Sequence, residues 1–278
     1  MATPIVFLVD NGSLRAQAVI RLRVLAQALS ERIQLPVEPV SLLHSCKVPI
    51  RELAGVPATI VKRRLREYLD LGMREFICVP LFLGPSLAIS EYLPRLIEEF
   101  KQEYPDLNVR IAPVLAGVDL EAPDRRLAQI LAQQVRALWG EAESRVALVD
   151  HGSPIVEVNR VRNVVAGQLA EELELSVGAV LPCSMERRPG AAYAFNDPLL
   201  QDLGQINQFA GGRLVLAMFF LLPGRHAGLG GDVADICDQL LTTGAFEQIE
   251  TTPLLGEHSL LMDILEDRFD AVWYSAGA

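Results

Sequence analysis

The phrase Leu8-Val9-Asp10-Asn11-Gly12-Ser13 returns 140 residues later as Leu148-Val149-Asp150-His151-Gly152-Ser153, with histidine in place of asparagine as the one change. A second pair of anchors, Pro113-Val114-Leu115 and Pro253-Leu254-Leu255, keeps the same offset. A strand-to-turn phrase repeated at that spacing constrains the chain to two like halves, each large enough to bury its own core. Of the two copies, only the second carries a titratable, metal-capable side chain in place of the asparagine.

The segments between the anchors match as well. Apolar runs at Ile5–Val9, Val37–Leu43, Phe76–Phe82 and Val109–Leu115 read as buried strands, answered by Val146–Val149, Val177–Leu181, Leu214–Leu222 and Gln248–Leu255. Helical spacing lies between them, at Leu22, Leu25, Leu29 and Ile33 and again at Val158, Val161, Val165 and Leu169. Near-continuous apolar strands alternating with amphipathic helices predict sheets covered on both faces, hence parallel ones. The expected fold class is α/β: two similar βα domains, each with a mainly parallel four-stranded sheet flanked by helices. The boundary falls in the polar stretch Gly140-Glu141-Ala142-Glu143-Ser144, which gives an N-terminal domain over 1–140 and a C-terminal domain over 141–278.

Half of the residues are hydrophobic, yet no apolar run approaches the roughly 20 residues a membrane helix needs. The first residues lead almost at once into a strand and show no secretory pattern. Cys46, Cys78, Cys183 and Cys237 form no Cys-x-x-Cys pair, and all but Cys46 lie in or beside apolar elements, as free cytosolic thiols do. These features predict a cytoplasmic protein. A net charge of −10, with no basic face, argues against a nucleic-acid or anionic-membrane partner.

In a parallel α/β sheet, ligands collect at the loops beyond the strand carboxyl ends. His151 lies there, with Gly152 and Ser153 making the turn into the next helix. His226, in Leu222-Pro223-Gly224-Arg225-His226-Ala227-Gly228, also follows a strand. A single strand-end histidine is ordinarily a hydrogen-bonded surface group. Two of the chain's four histidines at strand ends of one half, both absent from the equivalent loops of the other, favour a site. Glu186, in Pro182-Cys183-Ser184-Met185-Glu186-Arg187-Arg188, is a third candidate, as a carboxylate ligand or proton acceptor. Its alternative is a solvated charge paired with the neighbouring arginines. Asp197 before Pro198 reads as a turn, and His258 as a helix start. The glycines of Gly228-Leu229-Gly230-Gly231 permit a turn that uncovers His226, and Asp232 or Asp235 either caps the next helix or supports the imidazole. That loop is misplaced for a dinucleotide fingerprint, and no Gly-x-x-x-x-Gly-Lys-Ser/Thr, Gly-x-Ser-x-Gly or His-Glu-x-x-His occurs, so no nucleotide cofactor is expected.

Asp150-His151-Gly152-Ser153, the strand Ala217-Met218-Phe219-Phe220-Leu221-Leu222 leading to Gly224-Arg225-His226 and Asp235-Ile236, and Pro253-Leu254-Leu255-Gly256-Glu257-His258 together resemble the class II tetrapyrrole chelatases, the sirohydrochlorin cobaltochelatase and ferrochelatase group. Val79-Pro80-Leu81-Phe82-Leu83 resembles the same family's third strand with the histidine lost, so the likeness spans the chain as a tandem pair. It implies insertion of a divalent metal substrate, Co²⁺ or Fe²⁺ with Ni²⁺ as a further option, into a sirohydrochlorin-type tetrapyrrole. His151, His226 and Glu186 would bind metal and accept pyrrole protons. Ser153, Arg187, Arg188 and Arg225, with Arg160 or Arg162, would meet the carboxylate-rich substrate. Long bacterial members often keep the histidine pair in the N-terminal half, whereas here that half has Asn11 and Gly84-Pro85-Ser86. A metal or tetrapyrrole carrier without turnover, and a small-molecule sensor on a two-lobed scaffold, stand as the alternatives. Whether two chains form a homodimer is left open.

Overall fold

The computed structural model describes residues 3–140, 144–176, 178–207, 209–228 and 230–274. Its elements run β1 (Ile5–Asp10), α1 (Ala16–Ile33), β2 (Val37–Ser41), α2 (Val61–Asp70), β3 (Glu75–Pro80), α3 (Leu93–Glu103), β4 (Asn108–Ile111), α4 (Arg126–Leu138), β5 (Ser144–Asp150), α5 (Val156–Glu172), β6 (Val180–Ser184), β7 (Arg213–Met218), α6 (Asp232–Thr242), β8 (Gln248–Thr251) and α7 (Leu260–Trp273). The strands form two sheets of four, in the orders β2-β1-β3-β4 and β6-β5-β7-β8, with every pairing parallel. This is the expected architecture, repeated with the same topology.

The central strands show why. In β1, Val6 to Val9 are fully buried, as are Val146 to Val149 at matching places in β5, so both faces of each sheet are covered. α1 buries Val19, Leu22, Leu25, Ala26 and Leu29, a stripe at helical spacing; α5 does the same with Val161, Val165 and Leu169. The second sheet closes over a core in which Val149, Leu214, Leu216 and Met218 pack with Leu240 and Phe246. Cys46 is exposed and the other three cysteines are buried; burial alone pushes the Cys78 thiol up to about 12.

Strand bounds change in both halves: β2, β3 and β4 end at Ser41, Pro80 and Ile111, short of the expected Leu43, Phe82 and Leu115, and three changes in the second half bear on the site. Pro182-Cys183-Ser184 belong to β6 rather than to a loop, because β6 is an edge strand and Pro182 there leaves no partner without a donor. Val177, the expected start of that strand, lies outside the described residues, as do Glu141–Glu143 and Leu229. The apolar run through Leu222 leaves the ladder after Met218, whose amide donates to the Thr252 hydroxyl at 2.9 Å. Likewise β8 stops at Thr251. Where α2 lies in the first half, the second half has two 3₁₀ stretches, Ala191–Asn196 and Leu200–Gln205.

The division at 140/141 differs from the one the packing makes. One compact unit comprises 1–118 with 262–278, and the other comprises 119–261. α7 is fixed in the first unit by Arg268, which donates to the Val114 and Leu115 carbonyls at 3.0 and 2.8 Å, and by Arg110, which donates to the Val272 carbonyl at 2.7 Å. α4 packs on α5 and β7 in the second unit.

Asp10 and Asp150 end the two equivalent central strands, and both are buried. Burial pushes the Asp10 carboxyl up to about 6 against the opposing hydrogen bonds from Ser41 and the Gly12 amide. The folded value exceeds the unfolded one, so Asp10 costs stability above pH 6. That cost disappears as pH falls through 6 towards 4, where the folded state takes up the proton first. Asp10→Asn is therefore expected to stabilise the protein by about 2 kcal/mol at pH 7.5 and by much less at pH 4. Urea denaturation at the two pH values checks this; an equal gain at both would sink it.

Candidate metal-handling site

The second unit builds its site from three loops. β5 delivers His151 to the first position after the sheet, and Gly152, at φ +92°, turns the chain immediately. The next loop runs alongside: the Met185 amide donates to the Asp150 carbonyl at 2.8 Å and the Glu186 amide to the His151 carbonyl at 3.2 Å. The Glu186 carbonyl lies so close over Gly152 that a Cβ at 152 would sit 1.9 Å from it, which explains the glycine. Glu186 Oε1 then stands 3.3 Å from His151 Nε2.

His226 arrives from farther away than the sequence suggests, eight residues beyond the end of β7. Its loop is tied to the start of α6, where the amides of Asp232 and Val233 donate to the carbonyls of Arg225 and His226 at 3.2 and 3.1 Å. Gly231 permits this, because a Cβ there would meet both carbonyls at about 3 Å. The result brings His226 against His151, with ring centroids 4.4 Å apart and planes at 60°. His226 Nδ1 is 2.6 Å from Asp232 Oδ2, so Asp232 rather than Asp235 is the imidazole's carboxylate partner.

Behind the histidines lies a network that sequence reasoning missed. Asp150 accepts hydrogen bonds from the Gly152 amide at 3.1 Å and the Ser184 hydroxyl at 2.6 Å. Arg162, 1 % exposed, donates to Ser184 Oγ at 2.5 Å and to the Asn196 carbonyl at 3.2 Å, and its Nη1 lies 3.7 Å from Asp150. Burial pushes the Asp150 carboxyl up, while the Arg162 charge pulls it back down. Asn196 grips Ser153 through both its amide and its carbonyl, each at 3.0 Å. Arg162 is therefore no contact for a substrate carboxylate. It is buried structure that clamps the His151 turn to the end of β6. A buried arginine on an apolar helix face gave no signal distinguishing it from a surface charge.

The other residues fall as follows. Ser153 is buried and its hydroxyl accepts from the Ile155 amide at 3.1 Å, which makes it part of the turn. Arg187 pairs with Asp197 at 2.7 Å, Arg188 stacks 5.8 Å above the Tyr193 ring, and Arg160 pairs with Glu121 at 3.0 Å. Arg225 is 76 % exposed, with its Nε 3.5 Å from Asp232. His258 Nδ1 accepts from the Leu260 amide at 3.2 Å, the helix-start role expected of it. Among the described residues, no group of three or more His, Cys, Asp or Glu side chains is arranged to hold a metal ion. What the structure assembles is an imidazole pair with Glu186 beside one member.

The equivalent place in the first unit repeats the backbone without the chemistry. Leu42 and Leu43 donate to the carbonyls of Asp10 and Asn11 at 2.9 and 3.1 Å, so Asn11 and Leu43 stand where the second unit has His151 and Glu186. Leu22 occupies the place of Arg162.

Fold and site together define a two-unit parallel α/β protein whose paired loop histidines lie in one unit. Residues 5–138 match the CbiX family model, and this is the half that carries Asn11. Two solved structures have this fold along nearly their whole length. SirB from Bacillus subtilis with Fe³⁺ is 16% identical, with a TM-score of 0.70, covering 99% of this chain and 98% of that one. The sirohydrochlorin chelatase SirB from Bacillus subtilis subspecies spizizenii in complex with cobalt is 14% identical, with a TM-score of 0.67, covering 96% and 94%. No curated protein matches the sequence. The family model covers just under half of the chain, and the two solved structures share its fold. Among the described residues no helix is long and apolar enough to cross a membrane.

Proposed function

We propose that the protein is a metal chelatase that inserts a divalent ion, Co²⁺ or Fe²⁺, into a sirohydrochlorin-type tetrapyrrole, using His151, His226 and Glu186. The observation that carries this is the convergence of two strand-end imidazoles, 4.4 Å apart, in a chain whose first half matches the CbiX family model. Imidazole is a borderline ligand that suits either metal and can release it.

His151 adds a specific reason to expect a cation. Its Nδ1 lies 3.1 Å from the Gly152 carbonyl oxygen, and its Nε2 lies 3.3 Å from Glu186. A neutral imidazole has one N–H for these two acceptors. With that proton on Nδ1, Nε2 turns a lone pair towards a carboxylate, and a metal ion or a second proton shared between them removes the mismatch. Metal entry into the macrocycle displaces two pyrrole protons: the same pair would receive one as the metal leaves, and the other would pass to solvent water. Glu186, with its side chain 60 % exposed, is open to solvent for passing the proton on. Arg225 and Arg188 would face the substrate's carboxylates, with Arg187 held to Asp197 beside them.

The test is ultraviolet–visible detection of the metallated macrocycle when purified protein is mixed with sirohydrochlorin and Co²⁺, Fe²⁺ or Ni²⁺ in turn. Accelerated insertion of at least one metal is expected. Retention of metal and tetrapyrrole with no acceleration over the uncatalysed rate would replace this reading with that of a carrier.

A further inference from the structure

The two histidines are not equivalent. His151 has a backbone carbonyl at Nδ1, whereas His226 has the Asp232 carboxylate there at 2.6 Å. A carboxylate accepting the second N–H of a ligating imidazole fixes the tautomer and makes the other nitrogen a better donor to metal. The difference is fixed by the backbone. Asp232 opens α6, and the adjoining amides are bonded to the carbonyls of Arg225 and His226, so ring and carboxylate are carried on one short closed loop.

We propose that Asp232 is a positioning residue that holds His226 with its proton on Nδ1 and its lone pair on Nε2, making His226 the anchoring ligand. His151, shared with Glu186, is then the side from which metal is handed over and to which a proton comes. This division of labour rests on the metal-handling reading of the site, but it is tested without the tetrapyrrole.

The experiment compares the unsubstituted protein with Asp232→Asn and Asp232→Ala. The first readout is the His226 tautomer, from long-range ¹H–¹⁵N couplings in metal-free protein at alkaline pH. The second is Co²⁺ affinity by visible-absorption titration with the metal alone. In the unsubstituted protein His226 should be in the Nδ1–H form. Asp232→Ala should shift it towards Nε2–H and weaken Co²⁺ binding about tenfold or more, with Asp232→Asn in between. An unchanged tautomer in Asp232→Ala, or Co²⁺ affinity within twofold of the unsubstituted protein, would overturn the proposal. Circular dichroism identifies a variant that has lost its fold, and Asp232→Asn, which keeps size and hydrogen-bonding capacity, then provides the comparison. The outcome is separable from the proposed activity: absent metal insertion with both Asp232 effects present rejects turnover and keeps the positioning role.

Discussion

His226→Ala is expected to lower the rate of metal insertion by roughly two orders of magnitude or more while leaving the protein folded. It removes the imidazole that Asp232 orients and leaves His151 without its partner 4.4 Å away. The loss would take away the proposed anchoring ligand and leave the metal misplaced against His151 and Glu186, and misplacing reacting groups by about 1 Å alone costs about 10²-fold. Little stability goes with it, because the ring is partly exposed and contributes no core packing. Asn11→Ala, at the equivalent end of β1, should change the rate less than twofold. Initial rates with the uncatalysed reaction subtracted, and circular dichroism for folding, decide between them. Were Asn11→Ala the more damaging change at equal stability, the site would lie in the other unit.

The second large effect is steric. Gly152→Ala would require a Cβ 1.9 Å from the Glu186 carbonyl oxygen at a backbone φ of +92° that alanine rarely adopts. Both partners are backbone, so no side chain can swing aside, and the cost is expected to be about 3 kcal/mol or more. Relief would come from separating the two loops, which moves Glu186 away from His151 and lowers activity even in the fraction that remains folded. Gly12→Ala meets the same obstacle, 1.7 Å from the Leu43 carbonyl oxygen, and should cost similar stability. Neither His151 nor His226 is displaced there, so the rate per folded molecule should hold. Urea midpoints and rates normalised to folded protein separate these outcomes. A Gly152→Ala protein as stable as the unsubstituted one would contradict the close approach.

Much of this architecture could be read from the chain because burial on both sheet faces leaves unbroken apolar runs, and because the repeat doubles each signal. The strand ends were harder to place. Phe219 to Leu222 is as apolar as β7 itself, and the Thr252 hydroxyl takes the Met218 amide on the β8 side while the Phe219 amide still donates to the Val149 carbonyl on the β5 side. The histidines were legible from their position after strands, but the choice between Asp232 and Asp235 was not, since each is within reach of the first turn of α6. Arg162 was misread altogether. On an exposed face it would have been one more cation; a fully buried guanidinium depends on Asp150, Ser184 and Asn196, which come together only when the sheet forms.

The assignment of α7 to the first unit also sets an order of events during synthesis. The second unit is complete once residue 261 has emerged, and it contains every element of the histidine site. The first unit is started first and finished last, because it waits for 262–278 while its strands are already made. Until then the surface that Leu265 and Phe269 will cover lacks those side chains. A nascent chain of this protein therefore holds its histidine-bearing unit ready while its first unit depends on α7, and that first unit is where a chain stopping before α7 would expose apolar surface to aggregation.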